Sequence, residues 1–425
     1  MQAAVLFTSF FVLLLLTVPI GYSIGIATII ALMFTGDGTV PLLMVSQKAV
    51  TGCDSFPLMA VPFFMLAGNL MSRGGIAKRI LDFFDTFMGF ITGGLAMVST
   101  ITCMFFAAIS GSAMATTSAV GSFMIPAMKE HGYAEGFSAG ICAAAGTIGV
   151  IIPPSIPFVI YGVATGTSIT DLFRAGLLPG IAMGVALMIA CFMISKKEGF
   201  KGETRDFSLR AVWVTFKKAF WALLSPVIIL GGIYSGYFTP TEAAVISVVY
   251  SYIVGRFVYH ELDRKSTYAA LKSTIVVNGA TTFMMGLSSA FAAYLSLAGI
   301  PRQLAAAMLQ ISNNQILLLV IINIFLLIVG CLVDNIPATI ILAPILLPVV
   351  TSLGMSPVTF GVLITMNLAI GFCTPPYGID LFVASAISGV SIGKMMKYMV
   401  WFILALFVVL AMVTYWPSFT MFVFN

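Results

Sequence analysis

The chain has 425 residues, of which 60% are hydrophobic and 8% are charged, and its formal net charge is +5. Because ordinary globular chains carry about 25% charged residues, this composition excludes a water-soluble protein and predicts an integral membrane protein. The charge-free stretches are too long for the alternating strands of an outer-membrane barrel, which have about ten residues each, so we expect helical spans.

Apolar segments that could span a bilayer recur along the chain. The first basic residue is Lys48, so the opening segment has no basic flank, and we expect a retained membrane helix rather than a cleaved signal peptide. We predict spans at about 3–34 (two short helices split at Pro19 and Gly21), 57–72, 86–108, 173–195, 219–236, 241–258, 273–298, 304–330 and 396–421.

Two basic loops set the orientation. Residues 196–218 contain seven Lys and Arg residues, and residues 256–272 contain four more. Because Lys and Arg concentrate in cytoplasmic loops, we place both segments in the cytoplasm. This distribution accounts for the net positive charge and leaves no basic patch for a nucleic-acid partner.

Four stretches do not fit simple spans: 110–128, 137–167, 334–350 and 359–388. The charge-free run 335–379 would measure about 68 Å as one helix, whereas the hydrocarbon core of a bilayer is about 30 Å thick. Irregular backbone at membrane depth must be sheltered by protein or by a polar cavity. We therefore predict re-entrant hairpins and broken helices around a binding site.

An internal repeat relates the two halves of the chain. A shift of 222 residues places Gly132 on Gly354, Pro126 on Pro348 and Gly149 on Gly371. The same shift superimposes the double prolines at 153–154 and 375–376. Paired segments interrupted by Gly and Pro are typical of secondary transporters with a site at the bilayer midplane.

The basic flanks of the repeat partners are opposite, which indicates that the repeat is inverted. The span 173–195 is followed by Lys196 and Lys197, whereas its counterpart is preceded by Lys394 and Lys397. We divide the chain into N-terminal scaffold helices, a first repeat, cytoplasmic loops with a linking helix pair that belongs to the scaffold, and a second repeat. The boundaries are 1–57, 58–195, 196–272 and 273–425.

The segment 110–118 holds five hydroxyl side chains and a glycine without any charge. We interpret it as the tip of a hairpin, because hydroxyl and carbonyl oxygens suit a small cation such as sodium. The alternative is that its small residues serve only close helix packing.

The partner segment 334–339 places an acid and an amide deep in an apolar run. A carboxylate at the centre of a membrane costs at least about 2.5 kcal/mol, so Asp334 is expected to line a polar cavity or to neutralise a cation. A helix N-cap is the other interpretation, and a half-helix that begins in mid-membrane satisfies both.

The two double prolines form the remaining elements. Proline removes a helical donor and frees carbonyl groups for a cation, and the following half-helix directs its positive end at an anion. A kink that serves only packing is the alternative. Asp380 lies just beyond the second pair, where a functional role and an ordinary acid in the first turn of a helix are both open, and the second is the simpler interpretation.

Enzyme chemistry has no basis in this sequence, and we expect no catalytic residues and no cofactor. His131 and His260 are isolated, and the six cysteines show no CxxC spacing, which predicts free thiols. No GxxxxGK[ST] loop is present, so ATP hydrolysis by that route is excluded.

Several of these segments together resemble the large membrane subunit of tripartite ATP-independent periplasmic (TRAP) transporters. They are Ser-Gly-Ser with Ala-Thr at 110–116, the double-proline segment 149–157, Phe-Thr-Pro-Thr-Glu-Ala-Ala at 238–244 and Thr-Pro-Pro at 374–376. The resemblance extends from about Leu58 onward. Residues 334–337 and Cys373 differ from the small or polar residues expected there, which leaves the ion ligands open.

The resemblance implies an all-α, elevator-type secondary transporter of the ion-transporter superfamily, multi-pass in the bacterial inner membrane. Its moving domain would contain two hairpins and two broken helices. Its partners would be membrane lipid, a small four-helix membrane subunit and a periplasmic protein that delivers an organic acid, such as a C4-dicarboxylate or a sialic acid. A single-component sodium/carboxylate symporter and a channel are the competing interpretations.

Sodium is the expected coupling ion, because a proton relay needs several titratable groups at depth, where Asp334 and Asp380 are the candidates. The expected sodium ligands are Ser110, Ser112, Thr116, Thr117 and Gly149 at one site, and Asp334, Asn335, Thr339, Gly371 and Thr374 at the other. The substrate is expected between the hairpin tips, near Gly111, Pro153, Pro154, Ser155, Pro375 and Pro376.

Overall fold

The computed structural model describes residues 2–35, 42–200, 208–300, 303, 314–376 and 378–422. These residues form α-helices joined by short turns, and no strand occurs among them. The helices are α1 (Gln2–Leu15), α2 (Ile20–Thr35), α3 (Leu43–Thr51), α4 (Ala60–Arg73), α5 (Ile76–Met88), α6 (Gly94–Ser110), α7 (Ala113–Glu130), α8 (Glu135–Gly146), α9 (Ile156–Thr165), α10 (Ile169–Glu198), α11 (Leu209–Tyr234), α12 (Pro240–Ile253), α13 (Arg264–Leu297), α14 (Gln315–Gly330), α15 (Asn335–Ser352), α16 (Pro357–Gly371), α17 (Ile379–Ser388), α18 (Ile392–Tyr415) and α19 (Pro417–Met421).

The prediction of an all-α membrane protein is confirmed. Within the described ranges, six helices are long and apolar enough to cross a bilayer: Ile169–Glu198, Leu209–Tyr234, Pro240–Val258, Arg264–Leu297, Asn335–Ser352 and Ile392–Tyr415. The bent pair Leu43–Thr51 and Phe56–Arg73 could supply a seventh span. Of the predicted span 304–330, residues 304–313 lie outside the described residues, and α14 occupies the rest.

Three predicted spans differ from the helices. The span predicted at 86–108 is divided, because α5 ends at Met88 and α6 begins at Gly94, with Gly93 at φ +73° between them. The span predicted at 241–258 ends in a π-helical turn, Val254–Val258. The span predicted at 396–421 breaks before Pro417, because proline cannot continue the hydrogen-bond ladder of the preceding helix.

Side-chain caps explain where many helices begin. An Ncap oxygen accepts one of the backbone N–H groups that have no partner in the first turn. Thr239 and Glu242 form the reciprocal capping box, with Glu242 Oε2 2.8 Å from the Thr239 nitrogen. N-caps that accept a backbone N–H through their side chain, without a capping box, are Ser112, Ser155, Ser168, Ser208, Asp263, Asn314, Asp334 and Ser356.

Helix boundaries recur at the spacing of the sequence repeat. The shift of 222 residues places α7 on α15 over the same bounds, and it places α6, α8, α9 and α10 on α14, α16, α17 and α18 within a few residues. The peptide bonds between the paired prolines are cis in both halves. Each half thus contains a two-helix hairpin, a helix interrupted at a double proline, and one long helix.

The hairpins exchange partners between the two halves. Helix α7 packs against α17, and its counterpart α15 packs against α9, the counterpart of α17. Helices α10 and α18 pack together with the end of one beside the start of the other, where Lys397 Nζ lies 3.2 Å from Glu198 Oε1. These two helices therefore run antiparallel.

The same end of the bundle gathers further charged groups. Lys129 at the end of α7 lies 2.8 Å from Glu135 at the start of α8, and Lys394 approaches the other oxygen of Glu135 at 4.0 Å. The hydrogen bond and charge of Lys129 hold the pKa of Glu135 below its usual value. Together with Lys397 and Glu198, five basic and acidic residues from four helices mark one end of the hairpin–broken-helix core.

The remaining helices surround this core on one side. The long helix α13 contacts α2, α3 and α4 and also reaches α15 of the second hairpin. The amphipathic α5 packs on α6 and α11, and its Arg79 forms a 2.7 Å ion pair with Glu261 while stacking on Tyr259. Through α4 and α5 these helices contact the first half of the repeat, and through α13 they contact the second, so as a group they are the candidates for a fixed frame.

Candidate ion and substrate site

The first hairpin turns at Ser110, Gly111 and Ser112. Gly111 has φ +62°, which favours glycine, and a Cβ on it would lie 2.6 Å from the Pro154 carbonyl oxygen. The N–H of Ile156 donates to the Gly111 carbonyl oxygen at 3.2 Å. The tip of the hairpin is therefore held against the double-proline break of the first broken helix.

Oxygen atoms converge just behind this tip. The Thr116 hydroxyl donates to the Ser112 carbonyl oxygen at 2.8 Å and lies 3.0 Å from the Ser110 hydroxyl. A Cβ on Gly149 would lie 2.6 Å from both the Ser112 carbonyl oxygen and the Thr116 hydroxyl. We call Ser110, Ser112, Thr116 and Gly149 the first oxygen cluster; it contains four of the five residues predicted for one ion site.

Thr117, the fifth predicted residue, points elsewhere. Its hydroxyl lies against Gly146, where a Cβ would overlap it, and it faces the side chain of Asp380. Among the described residues the Thr117 hydroxyl has no hydrogen-bond partner. Thr117 therefore lies outside the first oxygen cluster, because its side chain leaves α7 in a different direction from that of the preceding residue, Thr116.

The first broken helix resumes at Ser155. The Ser155 hydroxyl donates to the Val150 carbonyl oxygen at 2.6 Å and accepts from the Phe158 N–H at 3.3 Å, which fixes the start of α9. Pro153 and Pro154 lie in the gap between the two helical segments. The free N-terminal end of α9 lies at this gap, behind the hairpin tip.

The second hairpin turns at Asp334. Asp334 Oδ1 accepts the Asn335 N–H at 2.6 Å, so the N-cap interpretation is confirmed. The Thr339 hydroxyl donates to Asn335 Oδ1 at 2.9 Å, and Asn335 Nδ2 reaches the Thr365 carbonyl oxygen at 3.4 Å. We call Asp334, Asn335 and Thr339 the second oxygen cluster.

Gly371 and Thr374, also predicted for the second site, have other immediate neighbours. A Cβ on Gly371 would meet the backbone of Gly330, at the end of α14. The Thr374 hydroxyl donates to the Ile370 carbonyl oxygen at 2.8 Å and lies beside Cys331. These residues attach the second broken helix to the hairpin four residues before Asp334, and Pro375 and Pro376 follow directly.

Buried polar groups also occur in α16, where the sequence analysis predicted no site residue other than Gly371. Asn367 Nδ2 donates to Asn323 Oδ1 at 2.8 Å, and Asn323 Nδ2 lies 3.1 Å from the Thr414 hydroxyl. The Thr365 hydroxyl is buried without a hydrogen-bond partner in the described structure. Single amides inside apolar helices are the signal that could have identified this chain of polar residues.

A crevice of about 410 Å³ opens between α3 and α13 on one side and α9 and α15 on the other. Lys48 is the charged side chain among the described residues of its lining, which also include Thr51 and Ser289. Ile340 and Pro344 of α15 form part of the same wall. A second groove of about 320 Å³, between α10 and α18, is mostly apolar and lies away from both clusters.

Comparison with known proteins identifies the family. Residues 7–419 match the family model of the DctM component of tripartite ATP-independent periplasmic transporters. The chain belongs to this family. Its architecture also resembles a solved transporter, YdaH of Alcanivorax borkumensis, with a TM-score of 0.66, 14% identity and coverage of 91% of this chain and 90% of that one.

Relatives of this TRAP permease carry several substrate names. This chain is 44% identical to the isethionate TRAP permease DctMQ of Oleidesulfovibrio alaskensis over 98% of this chain and 66% of that protein. The chain therefore spans about two thirds of the length of that relative. It is 37% identical to the sialic acid permease SiaM of Vibrio cholerae, over 96% of this chain and 95% of that protein. It is 36% identical to the C4-dicarboxylate permease DctM of Rhodobacter capsulatus, over 98% of each.

Family membership confirms three predictions. The protein is a transporter rather than an enzyme, it is a large permease subunit, and it is a multi-pass protein of the bacterial inner membrane. The clusters and the crevice are therefore the places to look for ions and substrate.

Proposed function

We propose that this permease imports an organic anion by sodium symport and receives its substrate from a periplasmic binding protein, with a small four-helix subunit extending its scaffold. The observation that carries the proposal is the first oxygen cluster. It places two hydroxyls and a carbonyl oxygen beside Gly149, in the 3-10 turn Thr147–Val150 that precedes the double-proline break, without a charged residue in the segment.

Sodium fits the chemistry of both clusters. A hard cation in a low-dielectric site needs its hydration shell replaced by several oxygen ligands. Each hydroxyl of the first cluster has one hydrogen to donate and keeps lone pairs for an ion. At the second cluster, the Asp334 carboxylate adds a negative charge that a cation would offset. Gly371 and Thr374 are proposed to complete this site through the backbone of the broken helix.

The proposed substrate class is an organic acid, and the substrates after which the relatives are named support it. Isethionate carries a sulfonate, whereas C4-dicarboxylates and sialic acids carry carboxylates. The shared feature is a negatively charged oxyanion. We propose that it binds between the two hairpin tips, near Gly111 and Ser155, with the positive N-terminal end of α9 directed at it, and with the double prolines 153–154 and 375–376 at the two breaks.

We further propose an elevator mechanism built on the inverted repeat. The antiparallel packing of α10 and α18 supports the inversion, and the basic residues at their shared end support a cytoplasmic location of that end. Helices α6–α10 and α14–α18 would move together, while α1–α4 and α11–α13 would stay fixed.

Reconstitution tests this proposal. In proteoliposomes that contain the permease and its small subunit, we expect labelled organic anion to accumulate under an inward sodium gradient and with binding protein present. Uptake without the binding protein would instead support a single-component symporter. Uptake that a proton gradient drives equally well without sodium would contradict the proposed coupling ion.

The crevice gives a second prediction, on Lys48. If the anionic substrate passes this side chain, Lys48→Ala should raise KM about five- to tenfold with little change in kcat, since an exposed charge interaction contributes about 1 kcal/mol. Lys48→Arg should preserve KM. Lys272→Ala, at the other end of α13, is the control; equal KM values for Lys48→Ala and the control would exclude a role for Lys48.

A further inference from the structure

Asp380 presents a buried carboxylate that neither oxygen cluster uses. It lies in the first turn of α17, at the contact between α17 and α7, and its exposed fraction is 0%. Its N–H donates to the Phe372 carbonyl oxygen at 3.0 Å, but neither carboxylate oxygen has a hydrogen-bond partner among the described residues. The interpretation of Asp380 as an ordinary first-turn acid leaves these two oxygens unexplained.

An ionised carboxylate in this position needs a positive partner. Burial of an unpaired charge is among the most expensive arrangements in a protein interior. No basic side chain of the described structure forms an ion pair with Asp380, and Asp334 is close enough to add electrostatic repulsion. A bound cation would offset both costs.

A second unpartnered oxygen faces the same point. The Thr117 hydroxyl is also 0% exposed, and it approaches the Asp380 carboxylate without forming a hydrogen bond of normal geometry. Its position against Gly146 leaves no room for a side chain between α7 and α8 at that level. One hydroxyl oxygen and two carboxylate oxygens therefore converge between the first hairpin and the second broken helix.

These donors select the kind of cation. Carboxylate and hydroxyl oxygens are hard ligands, which suit sodium, magnesium or calcium. Within the described part of the chain, no group of three His, Cys, Asp or Glu residues could hold a transition metal. A single carboxylate balances a monovalent ion, so the charge count favours sodium.

We propose that Asp380 and Thr117 form a further sodium site, separate from the two oxygen clusters. The proposal rests on sodium symport as the function of this permease, and it adds one coupling ion to each transport cycle. Thr117 belongs to the first half of the repeat and Asp380 to the second, so the ion would join α7 to α17 and couple sodium occupancy to the packing of the two halves.

Sodium binding to the purified permease tests this site without transport. Thermal unfolding in detergent is followed as choline is replaced by sodium, for the wild type, Asp380→Asn and Thr117→Val. We expect both variants to need about tenfold more sodium for half of the stabilisation, which corresponds to about 1.4 kcal/mol. Thr117→Ser, which keeps the hydroxyl, should restore the wild-type midpoint.

Thr100→Val is the matched control, because Thr100 is equally buried in the first hairpin but its hydroxyl donates to its own helix. The sodium-to-substrate ratio in proteoliposomes is the second measurement, and it should fall by one ion in Asp380→Asn. If the variants have the same sodium midpoints and the same sodium-to-substrate ratio as the wild type, the Asp380 site is overturned, while sodium symport is not affected. If wild-type uptake does not depend on sodium, while sodium still stabilises the wild type through Asp380, the symport proposal would be overturned instead.

Discussion

Replacing Gly371 with alanine is expected to unfold the permease at a markedly lower temperature and to abolish uptake. A Cβ at this position would meet the Cα, carbonyl carbon and carbonyl oxygen of Gly330, with the Cα 2.6 Å away. All three atoms are backbone, so no side chain can rotate to make room. Overpacking a rigid contact typically costs about 1–3 kcal/mol and sometimes more, and here it would separate α14 from α16.

Gly279→Ala provides the control for this substitution. Gly279 lies inside α13, where an added Cβ would meet no described atom within 4 Å apart from its own stretch of helix, so alanine there should be neutral or stabilise the helix by up to about 1 kcal/mol. Thermal unfolding and sodium-driven uptake are measured for both variants. A Gly371→Ala protein that unfolds at the wild-type temperature would show that the Gly330 contact is not fixed as the structure has it.

Much of the helical framework could be predicted from the sequence because its signals are local. Long runs without charge identify membrane helices, and proline identifies where a helix must break, as at Pro417. The repeat was visible through Gly149 and Gly371, and the helix boundaries of α7 and α15 follow it. The glycines at 89 and 93 are also a local signal, because they mark the break between α5 and α6. The span predicted at 86–108 did not take this break into account.

The composition of the sites was harder to predict because side-chain direction and non-local partners are not local signals. Successive residues of an α-helix point about 100° apart, so Thr116 and Thr117 cannot both face one ion. The sequence shows five hydroxyls in a row of nine residues, and only packing against Gly149 and Gly146 decides which side each one takes. The pairing of Gly371 with Gly330 is likewise a contact between helices.

Asp380 shows why burial changes the interpretation of a residue. An acid in the first turn of a helix is usually explained by the partial positive charge of that terminus. In the fold, however, α7 and α8 cover α17 and remove Asp380 from solvent. The attraction to the helix terminus must then offset the large cost of desolvating the carboxylate by itself. The sequence shows the helix but not the helices that cover it.

Substitutions of Asp334 are expected to weaken sodium binding strongly. Two different substitutions distinguish its role as a charged ion ligand from its role as the N-cap of α15. Asp334→Asn keeps an oxygen for the Asn335 N–H, because Asn and Asp are about equally good N-caps, but it removes the charge. We expect unfolding without sodium to stay close to that of the wild type. The sodium concentration for half-maximal uptake should rise about 10- to 100-fold, since a charged ligand contributes about 1.5–3 kcal/mol.

Asp334→Ala removes the cap as well, so it should show the same loss of sodium affinity together with about 1 kcal/mol of lost stability. Asp263→Asn is the matched control, because Asp263 caps α13 through the Ser266 N–H at 2.6 Å and lies outside both clusters. It should leave the sodium dependence of uptake unchanged. If Asp334→Asn behaves like Asp263→Asn, then Asp334 only caps α15, and the cation at the second cluster must be bound by neutral oxygens such as those of Asn335 and Thr339.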